Sequence, residues 1–242
     1  MSLPTEKKKP STNLWDYTIL LYGQKLIGKS SLANEIPNNI FLNAGGGLEA
    51  IECFQIPLIN WNDYKLAVAE LIDPNAKHSF KVVTLDTVDR IHKLCVTEMM
   101  KKLEITHPAD LDFGKGWDLI KDEFMRPTMA LVLSGLGVVM ISHVKDKEIT
   151  TRTAKFNKSI TTLQDHIWQM IESVSGIILF YSLETDAQGV EKRVLKVKAS
   201  ENYISGDRTG KLAAYGNIDI GPVGTNWGRI QKIFDGTLVK EK

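Results

Sequence analysis

Cysteine is scarce in this chain of 242 residues, with Cys53 and Cys95 the only two. Their neighbours are apolar and their spacing is not that of a metal site, so they argue against metal binding through thiolates and read as buried thiols in a reducing compartment. Net charge is nearly absent as well, with 30 Lys plus Arg against 29 Asp plus Glu. Any polyanion site must therefore be local, not a property of the whole surface. Long apolar runs are missing: no uninterrupted stretch is long enough for a bilayer, and the basic opening MSLPTEKKKPSTN has no apolar core behind it. A cytoplasmic location without membrane partners is expected. Arginine is sparse and widely spread, six residues in all, which argues against the arginine-rich lid that small-molecule kinases close over their acceptor.

What is present suits one domain with a core of ordinary size, since 43% of the residues are hydrophobic. Residues 1–14, rich in Lys, Pro, Ser and Thr, read as a disordered basic arm, and residues 15–242 as the folded domain. Compact apolar runs at residues 17–22, 39–43, 80–85 and 137–142 read as buried strands. Helical spacing recurs at 30–36, 61–72, 89–103, 117–133 with Pro127 inside it, 163–174 and 227–234. Residues 176–183 and 193–199, joined through DAQG, read as a β-hairpin, and the threonine- and lysine-bearing stretch 144–162 as a long polar loop. Strands alternating with helices predict an α/β fold, a mostly parallel central sheet covered by helices on both faces.

The first apolar run feeds Gly23, Gln24, Lys25, Leu26, Ile27, Gly28, Lys29 and Ser30, followed by Ser31 and a helical stretch. This is G-x-x-x-x-G-K-[ST] in the order strand, loop, helix, which the chemistry requires. Loop N–H groups converge on phosphate oxygens, Lys29 reaches the outer phosphates, and the Ser30 hydroxyl ligates Mg²⁺. A second ligand to that ion is a carboxylate at the end of a neighbouring strand, and Asp86 closes KVVTLD in that position. Taken alone, Asp86 could equally cap the following helix. The triple glycine 45–47 after the second strand must turn sharply and would let a ligand approach the backbone closely.

Five segments in order, YGQKLIGKSSLA, KVVTLDTVD, GWDLIKDEF, VVMISHVKD and ENYISGDRTGKL, resemble the RecA-like P-loop NTPases encoded by phages, AAA-type ATP-binding proteins related to single-strand annealing and recombination proteins. The likeness runs from about Trp15 to Leu212. It implies a RecA-like fold with a C-terminal β-hairpin, ATP and Mg²⁺ as ligands, and a DNA-stimulated ATPase in recombination, annealing or replication. By the same resemblance His143 senses the terminal phosphate, and Arg208 stabilises phosphate charge across a subunit boundary of a homo-oligomer, with Lys198 a weaker partner; the alternatives are a strand-end histidine satisfied by a neighbour and a plain turn arginine. Lys145, Lys147, Arg152, Lys155 and Lys158 fall where such proteins contact single-stranded DNA, and a single-strand binding protein is an implied partner. A solvated surface loop is the alternative for that stretch.

One position departs from the family pattern. Where the family has an acid that positions the attacking water, IFLNAGGGLEA offers Gly45, and glycine cannot polarise water. Glu49 would substitute only if the glycines curl back; otherwise it is a solvated residue. Two readings follow: an ATPase that uses Lys29, His143, Arg208 and Glu49, or an ATP-binding module with little hydrolysis that acts as an oligomerisation switch.

Overall fold

The computed structural model describes residues 3, 5–7, 9–151, 155–186 and 188–238. In chain order the elements are β1 (Ile19–Gly23), α1 (Lys29–Asn34), β2 (Asn39–Asn43), β3 (Phe54–Pro57), α2 (Trp61–Ile72), β4 (Val82–Asp86), α3 (Val88–Lys102), α4 (Lys115–Val132), β5 (Gly137–Thr150), β6 (Lys155–Thr161), α5 (Asp165–Val174), β7 (Ile177–Thr185), β8 (Glu191–Lys196), β9 (Gly206–Asp207), α6 (Lys211–Tyr215), β10 (Ile218–Ile220) and α7 (Asn226–Phe234). The sheet order is β10-β8-β7-β1-β5-β4-β2-β3, with β6 added to β5 and β9 to β7. From β7 to β3 every neighbouring pair is parallel, while β8, β10, β6 and β9 join antiparallel. This is the α/β fold with a mostly parallel, helix-flanked sheet that the alternating pattern predicts.

Because side chains on a strand point alternately to the two faces, each central strand feeds two cores. Leu20 and Tyr22 of β1, Val83 and Leu85 of β4 and Val138 and Met140 of β5 join the buried faces of α2, α3, α4 and α5. Ile19 and Leu21, with Val139 and Ile141, join those of α1, α6 and α7. Each such aliphatic side chain, once buried, contributes about 1.5–3 kcal/mol before the entropy of ordering is counted. Helix α2 shows how local sequence sets a boundary. Asn60 accepts the Asp63 N–H at 3.1 Å while the Asp63 carboxylate accepts the Asn60 N–H at 2.9 Å, and Trp61, Tyr64, Val68 and Leu71 then recur on the buried face. Losing the Asn60 cap would cost about 1 kcal/mol.

One expectation needs correction, and one strand was not expected. Residues 144–162 are not a polar loop: β5 continues past the sheet to Thr150 and returns as β6, pairing from Val144↔Thr161 to Thr150↔Lys155. Strand β3 was not foreseen: it is a four-residue edge strand, largely exposed, and Pro57 closes it. Pro127 lies inside α4, which runs through it to Val132. Ahead of β1, Leu14 is fully buried and its N–H reaches Gln231 Oε1 on α7 at 2.9 Å. Among the described residues no helix is long and apolar enough to cross a membrane.

Candidate nucleotide site

Strand β1 lies between β5 and β7, and Gly23 at its end aligns with His143 on one side and Tyr181 on the other. A Cβ at Gly23 would lie 2.1 Å from the Tyr181 carbonyl oxygen, so only glycine allows the strands to pair this closely. Gly28 ends the loop at φ 103°, a left-handed conformation that L side chains rarely adopt, and the chain enters α1 with Lys29. The loop is thus set by the sheet beneath it.

Lys29 is 5% exposed. Its Nζ donates to the carbonyls of Gly23 at 3.1 Å and Gln24 at 2.7 Å, and lies 3.4 Å from His143 Nδ1. Burial pushes its pKa down to about 8, against the opposing pull of Asp86 and Asp89. His143 is itself held below the usual imidazole range by burial and by the Lys29 charge. The ring is therefore neutral at pH 7 and can accept from the ammonium through Nδ1. Ser30 Oγ donates to Asp86 Oδ2 at 2.6 Å. Burial raises the Asp86 pKa, and the Ser30 hydrogen bond and the Lys29 charge lower it.

These groups border a cavity of about 600 Å³ lined also by Lys25, Gly45, Gly46, Gly47, Thr87 and Arg90, a size ordinary for a small-molecule site. A hydroxyl and a carboxylate already in contact suit a shared hard cation, and the clustered cationic side chains suit a polyphosphate. ATP with Mg²⁺ therefore fits the residues present: Lys29 for the phosphates, Ser30 and Asp86 for the ion.

The glycine turn forms the opposite wall. Asn43 Oδ1 accepts the N–H groups of Gly45 and Gly46, both at 3.0 Å, and Arg90 Nη1 donates to the Gly45 carbonyl at 2.8 Å. Glu49 is exposed, and its Oε2 accepts the Gly47 N–H at 2.8 Å, which lowers its pKa. Its carboxylate ties the turn, and Glu49 is not among the residues that line the cavity. Asp89, in the first turn of α3, accepts the Thr162 hydroxyl at 2.7 Å.

Arg90 was missed by sequence reasoning, although its place four residues after Asp86, on the first turn of the helix behind that strand, is a usable signal. Arg193 was also missed: from β8 its Nη1 comes within 3.3 Å of where a Gly28 Cβ would stand, and only the sheet pairing reveals this.

The other predicted residues lie elsewhere. Exposed Arg208 donates to the Ser173 carbonyl at 2.7 Å, closing the last turn of α5. It follows β9, which pairs with the first residues of β7, whereas the phosphate loop follows the last residue of β1. Within one chain Arg208 and Lys29 are thus at opposite ends of the sheet. Lys198 is exposed beyond β8. On the hairpin, alternation puts Lys145, Lys147 and Lys158 on one face with Ile149, Phe156 and Ile160. Lys155 belongs to the other face, where it meets Glu148 at 2.9 Å. Arg152 lies outside the described residues.

None of the curated proteins compared matches this sequence. Among solved structures, the crystal structure of the flagellar accessory protein FlaH from Methanocaldococcus jannaschii is similar at 12% identity and a TM-score of 0.41, covering 75% of this chain and 77% of that one. The family model for the AAA domain matches residues 16–209, which span the phosphate loop, Asp86, His143 and Arg208. The chain belongs to the AAA domain family.

Proposed function

We propose that this P-loop NTPase domain binds ATP with Mg²⁺ and works on single-stranded DNA, in recombination, annealing or replication of the phage type. The observation that carries the nucleotide reading is the convergence of buried Lys29, the Ser30–Asp86 pair and neutral His143 on one cavity. Lys29 exchanges its loop carbonyls for phosphate oxygens, and Arg90 adds a second charge from the facing wall. Bound at Ser30 and Asp86, Mg²⁺ would neutralise phosphate charge. His143 fixes the Lys29 ammonium and stands where β5 leaves the sheet for the hairpin. In a homo-oligomer Arg208 would serve a neighbour's phosphates, since its own lie at the other end of the sheet.

The DNA reading rests on the hairpin. Lys147 and Lys158 are a directly opposed cross-strand pair, an arrangement that destabilises a ribbon unless an anion relieves it. With Lys145 on the same face and Phe156 beside them, the ribbon offers charge to a phosphate backbone and one ring for stacking. A switch without hydrolysis is the second reading. Gly45 favours it, since no carboxylate stands there and Glu49 is engaged with Gly47.

Thermal melting with Mg-ATP and Lys29→Ala tests the nucleotide site. ATP raises the wild-type midpoint by mass action and leaves the variant unmoved; equal stabilisation of the two proteins would remove Lys29 from the phosphate site. ATPase rates with and without single-stranded DNA then separate the enzyme from the switch.

A further inference from the structure

A second cavity, of about 370 Å³, opens behind the first turns of α3. Its walls are Asp89 and His92 of α3, the turn at His107 and Pro108, Trp117 of α4, and Thr162 at the foot of the β5–β6 hairpin. Two wall residues carry unmet hydrogen-bonding capacity: Asp89 Oδ2 and His92 Nε2 are shielded from water and have no partner. His92 is 5% exposed, and burial together with the nearby His166 pushes its pKa down to about 4, so the ring is neutral. Orphaned polar atoms of this kind cost free energy until an occupant or a water satisfies them. Trp117 is half-buried, and its indole stands 5.9 Å from the His107 ring and 5.0 Å from that of His166. Exposed Lys93 is the one cationic side chain lining the cavity.

The chemistry is thus divided. The interior offers aromatic plates, a carboxylate that accepts and a neutral imidazole, and the rim offers a single cation. A phosphate would be repelled inside by Asp89 but welcomed at Lys93. A flat heterocycle with N–H donors, joined to a phosphate that stays outside, matches both halves. Thr162 links the wall to the hairpin: its hydroxyl donates to Asp89 and its N–H donates to the His143 carbonyl at 2.9 Å, so a strand lying along β5 and β6 would pass this opening.

We propose that the cavity takes one unstacked nucleobase with an exocyclic amino group from single-stranded DNA held on the hairpin. The amino group donates to Asp89, whose Oδ2 turns from the wall toward the occupant, the ring stacks beside Trp117, and the flanking phosphate pairs with Lys93. Cytosine, adenine and guanine meet the carboxylate with a donor. Thymine brings two carbonyls beside its one imide N–H, and they oppose the carboxylate. The proposal rests on the DNA reading, and its test separates the two.

Twenty-nucleotide oligomers of dC, of dT, and of dC with alternate abasic sites are titrated by fluorescence anisotropy at low salt with Mg-ATP. The expected result is a preference for dC over dT of about tenfold, and a comparable loss on the abasic strand. Asp89→Asn, which replaces half of the carboxylate with a donor, levels dC and dT. Trp117→Leu weakens dC binding by about five- to tenfold while leaving abasic binding unchanged. If all three strands bind wild type equally, the base pocket is refuted and hairpin binding to the backbone stands. If none binds, both readings fall. Should either variant lose its thermal transition, the wild-type comparison of the three strands alone still decides.

Discussion

Raising the pH should weaken ATP binding at an unusually low point for a lysine. In the free protein Lys29 titrates at about 8, so it is roughly nine-tenths protonated at pH 7 and about one-tenth protonated at pH 9. Phosphate charge beside it holds the proton on in the complex, so the binding-competent form of the free protein is the protonated one. Apparent Kd is the intrinsic value divided by that fraction, and it therefore rises about tenfold from pH 7 to 9, approaching a decade per pH unit above 8. The fold responds in the opposite sense. A folded-state pKa below the ordinary lysine value means the unfolded chain binds more protons between about 8 and 10.5, so Lys29 contributes increasing stability to the nucleotide-free protein as pH climbs through that window. Isothermal titration in two buffers of different ionisation enthalpy, at saturating Mg²⁺, reads both the Kd and the proton taken up, about 0.9 per ATP at pH 9. Lys29→Arg, whose charge does not titrate, should bind with no such slope. A wild-type Kd that is flat from pH 7.5 to 9.5, with no proton uptake, would refute the assignment of Lys29 as a desolvated ammonium serving phosphate.

At Gly45 the backbone is outside the left-handed region and a Cβ would meet Arg90 Cδ at an ordinary 3.4 Å, so Gly45→Glu is tolerated and should raise single-turnover hydrolysis ~10²-fold or more; a fall with Glu49→Gln and no gain from Gly45→Glu would instead make Glu49 the water-activating group. On the hairpin, Lys147→Gln with Lys158→Gln should flatten the salt dependence of single-stranded DNA binding by about 1.4 units, and Lys155→Gln should leave it unchanged, because Lys155 faces the other way and is paired. An equal effect of Lys155→Gln would put the DNA on the wrong face. Glu35, at the end of α1, accepts the N–H groups of Gly224, Asn226 and Trp227, each at 2.7 Å. Glu35→Ala should therefore cost about 1–3 kcal/mol and lower the melting midpoint by roughly 3–10 °C, read by calorimetry, with no change in ATP affinity at temperatures where the variant is folded.

The phosphate loop was legible because its chemistry is local: eight consecutive residues carry the turn, the cation and the hydroxyl. Asp86 was legible through its strand, an apolar run with a carboxylate at its end. The hairpin was not, for a physical reason. A two-stranded ribbon outside the core buries neither face, so Lys145 to Thr150 shows no alternation between core and solvent, and the register that sorts Lys147 from Lys155 exists only once β6 pairs. Edge strand β3 is only four residues long and ends at Pro57, too short for its pairing with β2 to be read from the sequence. Arg90 and Arg193 approach the loop from elements remote in sequence, and the contact of the Arg208 guanidinium with the end of α5 depends on the pairing of β9 with β7, which GDRTG alone does not show. Glu49 lies two residues past the glycines, and its engagement with Gly47 depends on a turn whose path the sequence does not dictate.

Strand β5 is mechanically a cantilever. Its first seven residues, Gly137 to His143, are held by parallel pairing, with β4 from Gly137 to Ile141 and with β1 from Val139 to His143, and from Val144 onward only β6 accompanies it. A beam of this kind does not bend at its free end without loading the clamp, and the clamped end is the place where His143 meets Lys29. Force applied to the tip would therefore be felt at the phosphate site through His143, and a change of partners by Lys29 would act on the root of the arm. Packing under the clamp, at Val139 and Ile141 on one face and Val138 and Met140 on the other, therefore fixes the rest position of the arm, and substitutions there would re-aim the hairpin from the middle of the core.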